Sequence, residues 1–69
     1  MRNKAERLNL IRRIIGDELI SSQEELIKRL EQHGVHATQS TLSRDFKEVN
    51  ISKMPHPEKG YIYVLSEKL

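Results

Sequence analysis

Thr38-Gln-Ser-Thr-Leu-Ser-Arg-Asp-Phe-Lys-Glu-Val-Asn50 is the stretch from which the fold of this chain can be worked outward. At roughly 100° per residue, Leu42, Phe46 and Val49 fall at i, i+4 and i+7 on a single stripe, which predicts an amphipathic helix over 38–50. The opposite side carries Ser40, Arg44 and Lys47, flanked by Ser43, with Gln39 and Thr41 in the first turn. Short hydrogen-bonding groups and cations fill this face, and no carboxylate stands at its centre. Arginine offers a bidentate fork to guanine, while Gln, Ser and Thr donate or accept at several bases, so the face suits base edges and phosphates. The same pattern also describes an ordinary amphipathic helix whose polar side meets water, and the stretch alone leaves both readings open. Asp45 borders the stripe, where an ion pair or hydrogen bond to a neighbour such as Arg29 or Arg44 is its expected role.

Upstream, Ser22-Gln-Glu-Glu25 reads as a capping box, with the Ser22 hydroxyl accepting from the amide of Glu25 and the Glu25 carboxylate reaching back to Ser22. Leu26, Ile27 and Leu30 form the buried stripe of the helix that follows, and Gly34 suits its left-handed end. Only Val35, His36 and Ala37 separate that glycine from Thr38, the next N-cap. Two helices joined by so short a turn form a helix-turn-helix. Glu24 and Glu25 point about 100° apart on a helix, which excludes them as a catalytic pair. His33 and His36 straddle Gly34 without a third ligand nearby, so they read as turn residues rather than a metal site.

A first helix is predicted from Lys4 to Ile15, with Leu8, Ile11, Ile14 and Ile15 inward, Arg7 and Arg12 turned away, Leu10 to one flank and Gly16 closing it. Arg12 and Arg13 would then occupy the last turn, where helix-end electrostatics and phosphate contact are equally open roles. Arg2 and Lys4, on an arm with no evident structural task, are better phosphate candidates. Leu19 and Ile20 could pair as a brief strand. Beyond Asn50 the period changes: Ile51 to Met54 alternates, and Tyr61 to Leu65 is rich in β-branched and aromatic residues. Pro55 to Gly60 between them is a turn cluster. The result is a hairpin, for which burial is expected on the Tyr61, Tyr63 and Leu65 face, leaving Ile62 and Val64 as an unexplained apolar strip. Three helices and a C-terminal β-hairpin wing make an α+β winged helix-turn-helix, one domain over residues 1–69.

The totals narrow the function. A chain of 69 residues buries only about 60% of its unfolded surface, which leaves little room for a water-excluding catalytic cavity. No nucleophile–base pair, metal triad or phosphate-cradling glycine loop is visible, so an enzyme is not expected. The lack of cysteine excludes disulfides and thiolate metal sites. No apolar run nears the roughly 20 residues of a membrane span, and no signal-peptide core is present, so a soluble cytoplasmic protein is expected. Net charge is only +2, but it is unevenly spread: residues 1–16 carry +4 and residues 17–37 carry −3. Such a dipole can orient a domain on a polyanion.

Thr38-Gln-Ser-Thr-Leu-Ser-Arg-Asp-Phe46, preceded by Ser22-Gln-Glu-Glu-Leu26 and followed by Lys53-Met-Pro55 and Gly60-Tyr-Ile-Tyr63, resembles the N-terminal DNA-binding domain of bacterial arginine repressors. The resemblance spans nearly the whole chain. It implies a transcription factor that binds palindromic, A·T-rich double-stranded operators and regulates arginine metabolism. It further implies that Gln39, Ser43 and Arg44 read the major groove and that the wing from His56 to Lys59 approaches the minor groove or backbone. Pro57 and the acidic Glu58 depart from the family's small polar wing. Ser40, Thr41, Lys47 and Lys53, with Arg2 and Lys4, are the candidates for phosphate contact. The family's C-terminal domain, which oligomerises, typically to a hexamer, and binds arginine as corepressor, is not part of this chain. The 69-residue domain is therefore expected to be a monomer without a cofactor. The alternative from another class is a winged helix used for protein–protein contact, which the modest net charge and the Ile62 and Val64 strip would favour.

Overall fold

The computed structural model describes residues 3–66. The elements run α1 (Lys4–Asp17), α2 (Gln23–Gln32), α3 (Gln39–Glu48), β1 (Ile51–His56) and β2 (Gly60–Leu65). Three helices followed by an antiparallel hairpin are the predicted winged helix-turn-helix.

Each helix starts on a side-chain cap. Asn3 accepts from the amide of Glu6 at 2.9 Å, Ser22 from that of Glu25 at 3.1 Å, and Thr38 from that of Thr41 at 3.2 Å. A cap of this kind stabilises a helix by about 1 kcal/mol. The return arm of the expected capping box differs: Glu25 accepts from the backbone N–H of Ser21 at 3.0 Å, and from its hydroxyl at 3.3 Å, instead of reaching Ser22. The end of α2 follows the glycine rule. Gly34 has φ +81°, its N–H donates to Glu31 at 2.9 Å, and the N–H of Val35 donates to Leu30 at 2.9 Å. These two bonds define a Schellman turn, and Val35 drops into the core behind it.

The end of α1 does not follow the predicted rule. Gly16 lies inside the helix, which continues to Asp17 and is capped by Glu18 in extended conformation, its N–H donating to Ile14 at 2.8 Å. Arg12 and Arg13 consequently fall short of the last turn, which contains no basic residue. A tertiary anchor sets this boundary: the Glu18 carboxylate accepts from Arg29 of α2 at 2.7 Å, and Ile20 is buried just beyond. Residues 19–20 form no strand, although the Ile20 carbonyl accepts from the Tyr63 N–H of β2 at 2.8 Å.

Ile11, Ile14 and Ile15 of α1, Ile20, Leu26 and Leu30 of α2, Val35, Leu42 of α3 and Tyr63 of β2 form one core. Phe46 packs against it and meets the Tyr63 ring edge-on at 5.0 Å. Val49, fully buried, caps α3, and Asn50 at φ 54° turns the chain into the hairpin. Asparagine tolerates that left-handed conformation better than other non-glycine residues.

The hairpin pairs Ile51 with Leu65 through to His56 with Gly60, so Pro55 and His56 belong to β1 and the loop shrinks to residues 57–59. Gly60 at φ +85° supplies the left-handed residue that a three-residue hairpin loop requires. The expected burial of one whole face of β2 is not what forms. Tyr63 is buried, but Tyr61 on the same face is 37% exposed, while Ile62 on the other face is buried. The hairpin outruns the helical layer, so only its inner end covers the core. Tyr61 instead lies under the ammonium of Lys53, 4.5 Å from its ring centre.

Candidate nucleic-acid interface

The stripe of α3 is anchored by Leu42, buried completely, with Phe46 and Val49 behind it. That anchoring turns Gln39, Ser40, Ser43, Arg44 and Lys47 outward, and all five are exposed. Thr41 is half-buried, its hydroxyl accepting from that of Thr38 at 3.2 Å. Among the described residues Arg44 and Lys47 make no ion pair or hydrogen bond. They are thus exposed cations on a helix whose formal charge is zero.

Asp45 explains how. It is 1% exposed and accepts two hydrogen bonds from one edge of a guanidinium, Arg7 Nε to Oδ2 at 2.6 Å and Nη2 to Oδ1 at 3.1 Å. The hydrogen bond to Asp45 holds the Arg7 guanidinium above its ordinary pKa, against the opposing effect of burial. The expected partners, Arg29 and Arg44, are not used. Arg29 belongs to Glu18 and to Gln32, to whose side-chain oxygen it donates at 2.5 Å, and Arg44 faces out. One turn further along α3, Glu48 pairs with Lys4 at the start of α1. Lys4 and Arg7 on α1 therefore meet Glu48 and Asp45 on α3 as two rungs between the two helices.

The placement of Arg7 was legible in principle. Residues 7, 11 and 14 share the spacing i, i+4, i+7, so Arg7 continues the row of Ile11 and Ile14 instead of turning away from it. A basic residue on an apolar row calls for a buried acid, and the structure supplies Asp45 as that partner. Lys4 likewise is not on a free arm but in the first turn of α1. Arg2 lies outside the described residues.

In the wing, His56 turns back on its own loop. Its Nδ1 accepts from the N–H groups of Glu58 at 3.2 Å and Lys59 at 3.1 Å. The Lys59 ammonium stands 3.9 Å from the Glu25 carboxylate, a distant exposed contact worth little by itself. Lys53, Lys59 and the tip are exposed.

The comparisons with known proteins agree with this fold. A family model described as the arginine repressor, DNA binding domain, matches residues 2–69. The arginine repressor of Parabacteroides distasonis is 46% identical over 68 residues, covering 99% of this chain and 47% of its own length. That of Staphylococcus haemolyticus is 45% identical over 65 residues, covering 94% of this chain and 43% of its own length. The repressor of Bacteroides thetaiotaomicron is 41% identical over 69 residues, 100% of this chain and 44% of its own. The chain spans less than half the length of these curated relatives. This winged helix-turn-helix, with an exposed arginine on the second helix of its motif and matched almost end to end, belongs to the family of arginine repressor DNA-binding domains.

Proposed function

We propose that this chain is the operator-reading part of a transcriptional regulator of arginine metabolism, laying α3 in the major groove of palindromic, A·T-rich double-stranded DNA. The observation that carries the reading is the outward face of α3, where Arg44 and Lys47 are exposed and unpaired among the described residues beside Gln39, Ser40 and Ser43. Arg44, with Gln39 and Ser43, addresses base edges. Ser40, Thr41, Lys47 and Lys53 hold phosphates, joined by Arg2 and by Lys4, whose ammonium is shared with Glu48. His56 and Lys59 bring the wing to the neighbouring backbone or minor groove. Two copies related by symmetry would read the two half-sites of a palindrome. Arginine binding as corepressor, and assembly to a hexamer, fall to the length of the relatives that this chain does not cover.

A salt titration of duplex binding tests this. Few phosphate contacts give modest, strongly salt-dependent affinity. Arg44→Ala should lose about 1–3 kcal/mol on operator DNA and flatten the preference over random duplex, whereas Lys47→Ala should weaken both duplexes alike. Full operator preference in Arg44→Ala would remove Arg44 as the reading head. Absence of any salt-sensitive duplex binding would leave the winged helix as a protein-contact module.

A further inference from the structure

The two acids of α3 share one groove with Arg44, and both are taken by cations from another helix. Asp45, its neighbour in sequence, receives the fork of Arg7, and Glu48, one turn on, receives Lys4. All five of these residues, with Thr41, line one groove between α1 and α3. Residues i and i+4 face each other on a helix, so Arg44 and Glu48 would pair if Lys4 were absent. Asp45 is a stronger attractor still. Its carboxylate is already desolvated, and an unpaired charge there would draw in any guanidinium that can reach it.

From this juxtaposition we infer that Arg7 is a positioning residue that keeps Arg44 available to DNA, because by filling both oxygens of Asp45 it denies that carboxylate to the arginine beside it. Lys4 does the same at Glu48 through a more exposed and weaker contact. The arrangement lets α3 carry Asp45 and Glu48 while its outer face remains cationic. It also links the basic N-terminal segment to recognition without requiring Arg7 to touch DNA. The inference deepens the proposed reading role of Arg44 and rests on it, but its first readout uses no DNA.

That readout is solvent exchange of the Arg44 Nε–H in the free 69-residue chain, followed by nitrogen-edited magnetic resonance. Wild type should exchange fast. Arg7→Ala should slow the exchange by about tenfold as Asp45 captures Arg44, a factor typical of one net charge-assisted hydrogen bond. Adding Asp45→Ala to Arg7→Ala should restore fast exchange. The second readout is the ratio of operator to random-duplex affinity, which should fall about tenfold in Arg7→Ala and recover in the double variant. A merely structural role would lower the ratio in both variants and would leave the Arg44 exchange fast. Unchanged Arg44 exchange in folded Arg7→Ala overturns the inference. Slowed exchange with an unchanged ratio supports capture and instead refutes Arg44 as the base reader. Should Arg7→Ala not fold, Arg7→Lys takes its place: a single ammonium leaves one Asp45 oxygen open, so intermediate protection of Arg44 supports the inference and wild-type exchange overturns it.

Discussion

Replacing Arg7 by alanine removes one half of a desolvated pair and leaves the other half behind. The Asp45 carboxylate, 1% exposed, would lose both of its Arg7 donors. Breaking a buried pair in this way costs about 3–5 kcal/mol. The Arg7 side chain is 21% exposed, so water already reaches the edge of the site, and Arg44 can take up part of the freed carboxylate; the low end, about 3 kcal/mol, therefore applies. A chain of 69 residues is stable by roughly 3–10 kcal/mol, so Arg7→Ala stands at the margin of folding. Asp45→Ala should be milder, about 1–2 kcal/mol, because the orphaned guanidinium sits on a long stem that can swing to solvent. Arg7→Met with Asp45→Leu should be close to neutral, since matched apolar groups avoid the desolvation of two charges. Urea unfolding followed by far-ultraviolet circular dichroism checks all three. At a slope of about 1 kcal/mol per molar, the Arg7→Ala midpoint should drop by about 3 M. A loss below about 1 kcal/mol at unchanged slope would refute the reasoning, because the pair would then behave as an exposed one.

Two further changes probe the turn and the wing. Gly34→Ala forces a Cβ onto a residue at φ +81° and should destabilise the chain by about 1 kcal/mol or more; an unchanged thermal midpoint would show that the Schellman turn relaxes freely. Tyr63 is held above the ordinary tyrosine value of 10.0, first by burial and then by the neighbouring Tyr61. Its neutral form is the folded one, so its contribution is complete below that value and is lost as pH rises through the higher folded value. Denaturant curves of wild type and Tyr63→Phe should therefore track each other near neutrality and separate above about pH 10, with the variant losing less stability; parallel curves throughout would exclude Tyr63 as the alkaline group.

Local rules were enough to outline the molecule. The caps at Ser22 and Thr38, the glycine turn at Gly34 and the apolar stripe of Leu42, Phe46 and Val49 are interactions among residues a few positions apart. A sequence displays such neighbours directly, and together they dictate the helix-turn-helix. Where those rules competed with distant partners, they lost. Gly16 could have ended α1, but Glu18 is drawn to Arg29 and the helix runs on. Alternation assigned β2 a single buried face, but how much of each face is covered depends on where the helical layer stops, so Ile62 is buried and Tyr61 is not.

By itself, then, the order of residues determined the three helices, the hairpin and the polar face of α3, because helix and strand periodicity, capping and turn chemistry act at short range. Only the folded chain decided which acids and bases meet. Arg7 and Asp45 are separated by 38 positions and come together because the apolar rows of α1 and α3 are buried in one core. That meeting neutralises the acids of α3 and leaves Arg44 unpaired among the described residues at the surface.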